Sequence, residues 1–409
     1  MRTIRLLAAA VGAALAPPAL AQVASTTLPT GAQHGTGISV STSGAEMTVT
    51  QSGAREIINW QSFSIGSGAH VRFQQPGASS VVLNRVVGNN PSEIFGRLSS
   101  NGQVFLTNPN GVLFAPGASV EVGSILATTL SISDQDFLAG NNRLHNAGAA
   151  REVVNKGNIT IVTPNGYAAL AGPKVRNDGI IIAQLGTVAL AAGERVTMDM
   201  VGNRLVNVSV DQAVLDASIV NSGTIEANGG RVLMTARTAN ALLDTVINTS
   251  GVVRANRLDE RHGEIVLDAG TTGNIAVSGT LEADVVTVTG GLGGGGEVIV
   301  EPGPIVAVPG PITGGGTITL NTSGDLTLSN VTTIAHPLTL AGPTITATNA
   351  NGVTLNSTAV PEAVEAVKPM PQSGNVSVTS PGTLAPMQHS IEGAGVNAPA
   401  GVTLLPRPR

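Results

Sequence analysis

Asn155-Lys-Gly-Asn-Ile159 recurs as Asn177-Asp-Gly-Ile-Ile181 and as Asn221-Ser-Gly-Thr-Ile225, and a looser copy follows at Asn248-Thr-Ser-Gly-Val252-Val253. The steps are 22 residues (155 to 177), 44 (177 to 221, twice 22) and 27 (221 to 248). Short aliphatic runs such as Val188-Ala-Leu190, Arg231-Val-Leu-Met234 and Glu264-Ile-Val-Leu267 lie downstream. Self-similarity at such a period marks stacked units, none of which buries its apolar face alone. Asn tolerates positive φ and Gly carries no Cβ penalty, so Asn-x-Gly reads as a corner. Corner, strand, corner, strand describes the coils of a parallel β-helix.

Composition agrees. Glycine makes up 51 of 409 residues, charged residues 11% and aromatics 2%. A globular core of this size would use more aromatic rings, which carry the largest buried area per residue. A narrow β-helix is filled instead by ladders of Val, Ile, Leu and Ala. With 42% hydrophobic residues the chain is too apolar for general disorder. A net charge of −5 advertises neither nucleic acid nor an anionic membrane as partner. There is no cysteine, and the six histidines (34, 70, 145, 262, 336, 389) lack metal-ligand spacing, so no metal or other cofactor is expected.

The N-terminus reads as a secretory signal peptide over residues 1–21. Arg2 and Arg5 form the positive region, Leu6 to Leu15 the apolar stretch, and Ala19-Leu20-Ala21 the small-residue site cleaved before Gln22. No later segment approaches the ~20 apolar residues of a membrane-spanning helix. Four zones follow. Residues 22–140 hold Trp60 and all six phenylalanines (63, 73, 95, 105, 114, 137), enough bulk for the dense cap that an open solenoid end requires. Residues 141–290 hold the rungs. Residues 291–360 are a Gly/Pro-rich continuation with short strands such as Thr317-Ile-Thr-Leu320. Residues 361–409 form an irregular, flexible low-complexity tail. Ser133-Asp-Gln-Asp-Phe-Leu138 is the one helical turn expected, with Ser133 as its cap and Asp136 at the third position.

One motif points beyond the fold. In Asn101-Gly-Gln-Val-Phe-Leu-Thr-Asn108-Pro109-Asn110-Gly111-Val-Leu-Phe114, the segments 104–107 and 112–114 read as strands and Asn108-Pro-Asn-Gly111 as the turn between them. Pro109 fixes φ and Gly111 closes the turn. By itself such a turn is only structural. Its setting is ordered, however: Ile57-Ile-Asn-Trp60-Gln-Ser-Phe63-Ser-Ile65, Val71-Arg-Phe73, Val82-Leu-Asn84-Arg85-Val86 and Pro91-Ser-Glu-Ile-Phe-Gly96-Arg-Leu98 precede it in turn.

This set resembles the N-terminal secretion domain of the filamentous haemagglutinin family, the exoproteins of two-partner secretion, closely over residues 28–140 and more loosely along the rungs to about 281. The resemblance implies a right-handed β-helix. It also implies an outer-membrane β-barrel transporter as partner, and a route through the periplasm to the surface or medium of a Gram-negative bacterium. Asn108, Pro109, Asn110 and Gly111 would then form a turn needed for secretion, either touching the transporter or shaping the coil. The family's Asn-Pro-Asn-Leu motif is missing, and Asn90-Pro91-Ser92 is no clear substitute. Few rungs precede Arg409, as in a compact exoprotein or a truncated one.

An adhesin-like role toward a host-cell or bacterial surface ligand is the default for a secreted shaft, and no catalytic residue is expected. A β-helical polysaccharide-degrading enzyme would need aligned carboxylates. The densest charged run, Arg257-Leu-Asp259-Glu260-Arg261-His262-Gly-Glu264, falls where the repeat lengthens and reads as a solvated loop. Gly291 to Gly296 lacks the Lys-Ser/Thr of a phosphate loop. A single-chain autotransporter would carry a C-terminal barrel of alternating strands, which the ending Leu-Leu-Pro-Arg-Pro-Arg409 does not lead one to expect. A haemolysin or a haem-binding member of the same family remains as the other alternative.

Overall fold

The structure, a computed structural model, describes residues 23–146, 151–199, 205–239, 245–270 and 273–289 in full, and the backbone of residue 200 and of short strands from residue 291 to 391. The segment assigned to the signal peptide, with Ala19, Ala21 and Gln22, lies outside the described residues, as does most of the tail from 361 to 409.

Successive coils each contribute one strand to each of three sheets. One coil is Glu152–Asn155, Asn158–Ile161 and Tyr167–Gly172; the next is Lys174–Asn177, Ile180–Ile182 and Thr187–Ala192. Each strand pairs in parallel with its counterpart one coil away: Val153 with Val175, Ile159 with Ile181, Leu170 with Leu190. The sheets hold ten, eight and fifteen strands among the described residues. Expected and observed architecture agree: an all-β parallel β-helix.

Alternate residues point inward and build the ladders. Val112, Val153, Val175, Ile219, Ile247 and Ile275 stand in register on the eight-stranded sheet, each 2% exposed or less. Burial of one such side chain is worth about 1.5–3 kcal/mol, so each coil is held mainly by what it removes from water. The N-terminal end is closed differently. Gln33–His34 and Ile38–Ser43 pair antiparallel with the first parallel strands, Arg55–Trp60 and Glu46–Gln51. Leu28, Ala32 and Val40 pack against the core there.

Four expectations are corrected. The step of 44 residues is not two rungs. Asn177 and Asn221 are direct neighbours in the eight-stranded sheet, and the surplus is extruded as an antiparallel hairpin, Arg195–Met200 with Val206–Gln212. The fourth copy is out by one residue: Thr249, not Asn248, stands over Asn221, while Asn248 faces outward. The reason for Asn-x-Gly also differs. None of its residues has positive φ. The asparagines face inward, fully buried, and Asn155 Nδ2 donates to Asn177 Oδ1 as Asn177 Nδ2 does to Asn221 Oδ1, both at 2.8 Å. Glycine is required because coils approach closely; a Cβ on Gly223 would collide with the Gly179 carbonyl oxygen.

Finally, the aromatic residues do not form one cap. Trp60, Phe63, Phe73 and Phe114 fill the coil interior, whereas Phe105 and Phe137 belong to a second core on the outer face of the ten-stranded sheet. That core lies under a four-stranded antiparallel sheet made by Leu130–Ser131, Asn142–Asn146 and the extruded hairpin. Where the hairpin lies close, the outer row is small (Ala169, Ala171, Ala189, Ala191); where the helix covers it, the row is large (Leu83, Phe105, Leu126). The helix, Asp134–Ala139, starts as expected: Ser133 Oγ accepts from the Asp136 amide at 3.0 Å and donates to its carboxylate at 2.8 Å.

Candidate functional site

The four motif residues, Asn108 to Gly111, join Gln103–Thr107 of the ten-stranded sheet to Val112–Phe114 of the eight-stranded sheet. Asn108 is fully buried. Its Nδ2 donates to the Asn90 carbonyl and to Ser92 Oγ, both at 3.0 Å. Its Oδ1 accepts from the Asn110 amide at 2.9 Å, an Asx turn that lets one side chain satisfy backbone its own turn leaves open. Asn110 Nδ2 reaches down to the Gly88 carbonyl at 2.8 Å. The Gly111 amide closes the turn onto the Asn108 carbonyl, and its φ of +117° is one that L side chains rarely adopt. The Ser92 amide donates to the Gly111 carbonyl, completing a two-tier knot.

The four motif residues therefore come together in one turn. The support they need was not recognised in the sequence. Asn90-Pro91-Ser92, no substitute for a second motif, is the tier directly beneath, one coil earlier. A signal was present: the strand Ser92–Ile94 begins two residues after Asn90 as Val112–Phe114 begins two after Asn110. Asn84, which no sequence motif marks as functional, lies inside the coil, fully buried, and accepts from Trp60 Nε1 at 2.9 Å. Burying an indole N–H without a partner is costly, which ties Trp60 to Asn84.

Beyond the turn, the outer face of the eight-stranded sheet opens as a shallow concavity of about 710 Å³. Pro91, Asn110 and Gly111 form one end, and Lys174 and Arg176 stand on the strand two coils further along. Arg176 Nε lies 2.7 Å from Asp178 Oδ2. Burial acts to raise the Asp178 pKa, but hydrogen bonds from Arg176 and Ser222 prevail and hold it below the usual carboxylate range.

The charged loop is more than a solvated excursion. Arg261 Nη1 donates to Asn165 Oδ1 at 2.8 Å, across 96 residues of sequence. His262 Nδ1 and Arg257 Nε approach Asp284 Oδ2 at 2.9 and 3.6 Å, and Asp284 is fully buried. The loop thus clasps earlier and later coils. Another polar pair, His70 Nε2 and Ser99 Oγ at 2.7 Å, lies across neighbouring strands of the fifteen-stranded sheet.

The chain's relatives fit this geometry. The family model described as "TPS secretion domain" matches residues 21–283, which takes in the motif turn and the described coils up to the strand Thr280–Ala283. Two Heme/hemopexin-binding proteins of Haemophilus influenzae are 35% and 30% identical over 236 and 248 residues, in each case 56% of this chain. The match spans about a quarter (26%) of those relatives' length. The crystal structure of the HMW1 secretion domain from Haemophilus influenzae has the same fold, with a TM-score of 0.58 at 23% identity, covering 90% of this chain and 98% of that one. Ordered motifs, parallel coils and the family match agree, and the chain belongs to the TPS secretion domain family, the two-partner-secretion exoproteins of Gram-negative bacteria.

Proposed function

We propose that this chain is the exported member of a two-partner pair. It would enter the periplasm on the signal peptide 1–21, cross the outer membrane through a β-barrel transporter, and fold outside, coil upon coil, into an adhesin-like shaft. A TPS domain implies such an outer-membrane transporter. The observation that carries the folding part is the register: from Arg55–Trp60 to Val285–Thr289, each interior strand of the ten-stranded sheet pairs only with the coil before and the coil after. Such a stack grows by nearest-neighbour additions from a folded end. Even ~1–2 kcal/mol per coil biases each outward step about 5–30 fold, without nucleotide hydrolysis. Asn108 to Gly111 would serve by holding one early turn of that stack, between Gln103–Thr107 and Val112–Phe114, on which later coils are laid. No catalytic role is proposed for any residue.

The test is co-expression with a barrel transporter encoded beside the chain, scoring protein in the medium. Export should require the barrel, and deleting residues 108–111 should leave the chain in the periplasm. Barrel-independent release, or normal release of the deletion, defeats the reading. A second reading, haem or hemopexin binding, is favoured by the names of the two relatives. It is tested by retention of the secreted chain on immobilised haemin or hemopexin, and absence of retention on both removes it.

A further inference from the structure

We propose that the concavity beside the motif turn binds an extended, net-acidic polypeptide segment. This goes beyond the export reading and does not depend on it. The floor is apolar: Leu113 and Val154 stand in register on neighbouring strands and face outward, half-buried. Arg151, Lys156, Lys174 and Arg176 surround that floor. Among the described residues Arg151, Lys156 and Lys174 make no ion pair, so their charges are free to meet a partner's.

The floor explains why the partner is a peptide. Arg176 is matched by Asp178, and the three unpaired cations are accompanied by two carboxylates, Glu93 and Glu152. A uniformly anionic polymer, nucleic acid for example, would set phosphates against both carboxylates and gain nothing from Leu113 and Val154. An extended strand presents side chains to alternate faces, so one face can carry carboxylates toward the lysines while apolar residues meet the aliphatic floor. Lys174 on its strand and Lys156 at the end of the neighbouring one are free to meet carboxylates of a facing strand, while Arg176 is held by Asp178. Complementary charge at an exposed face mainly sets partner choice and salt dependence.

The test uses the full secreted chain and a fluorescein-labelled decapeptide of alternating Glu and Val, followed by fluorescence anisotropy. Saturable binding is expected at ~50 mM salt, weakening several-fold at ~300 mM. Lys174→Glu and Lys156→Glu should each weaken it roughly tenfold. Lys174→Gln, less apt to disturb the fold, should have a smaller effect of the same sign. Arg97→Glu, on the fifteen-stranded sheet where Arg97 pairs with Glu121, should change nothing. Circular dichroism of each variant checks that the coil persists. Three results overturn the proposal: no saturable binding to the parent chain, equal binding of a Lys–Val decapeptide or of oligothymidylate, or unchanged affinity in folded Lys174→Glu.

Discussion

Asn177 Nδ2 donates to Asn221 Oδ1 at 2.8 Å although 44 residues separate them, whereas Asn155 makes the same bond to Asn177 from 22 residues away. The inward ladder ignores what happens on the outside of the coil. A hairpin is inserted at the surface, and the next asparagine still arrives over the last. Asn221 passes the chain to Thr249 Oγ1 at 3.1 Å. Buried amides chained in this way satisfy one another, and the gain depends on every member being present.

Asn177→Ala should therefore cost about 2–3 kcal/mol, because Asn221 Oδ1 loses its buried donor and Asn155 Nδ2 keeps only the Ile180 carbonyl at 3.5 Å. Urea unfolding of the secreted protein measures it. A variant within a few tenths of a kcal/mol of the parent would show that the ladder is incidental to stability.

Gly223→Ala separates close approach from backbone freedom. Gly223 does not have positive φ, and its Cβ would meet the Gly179 carbonyl oxygen. Overpacking of this kind costs about 1–3 kcal/mol, and the coils above must shift. Gly44 has φ +60° and open space around it, so Gly44→Ala brings only the left-handed penalty of about 1 kcal/mol. The expected order of melting temperatures is parent, then Gly44→Ala, then Gly223→Ala. The reverse order would return the glycine column to a turn-geometry explanation.

His70 supplies a pH dependence. Burial, and then the charge of Arg97, lower its pKa from the ordinary 6.5, with Arg72 acting the same way and Glu46 and Glu121 opposing. The unfolded chain therefore takes the proton first as pH falls. Stability from this group is present above 6.5 and is lost below it, down through the lowered folded value. Asp178, also held low, acts in the same direction at more acid pH. The melting temperature should fall on acidification from about 7 to about 5, and His70→Gln, which can keep a bond to Ser99, should flatten that slope. An identical slope in the variant removes His70 from the account.

The parts legible in the sequence were those written in periodic residues. Asn155, Asn177 and Asn221 recur because each coil has one inward corner to fill, and the aliphatic runs recur because each coil has one inward face. The hairpin was hidden because Arg195–Met200 and Val206–Gln212 alternate in polarity just as rung strands do. Nothing local tells an alternating strand whether its apolar face meets the interior or the outer core. Thr249 was missed because a hydroxyl can stand in for an amide acceptor, so the ladder continued after the motif changed letters. The motif turn was legible as a turn from Pro109 and Gly111. Its floor was not, because Asn108 meets Ser92 through the stacking of coils and not along the chain.

Ser92 decides how that turn acts. Its side chain is fully buried and accepts from Asn108 Nδ2, so it touches no partner of the folded chain. Ser92→Ala keeps the Asn90 carbonyl as a second acceptor for Asn108, and the loss should be about 1 kcal/mol. If the motif works by shaping the coil, export of Ser92→Ala and of Asn108→Ala should fall in step with their stability, Asn108→Ala further because it also abandons the Asn110 amide. Half-buried Pro109, replaced by Ala, should then export nearly as the parent does. Quantifying each variant in medium and periplasm gives the answer. Full export of Ser92→Ala beside a block in Pro109→Ala would mean that the exposed surface of the turn, read directly by the transporter, is what matters.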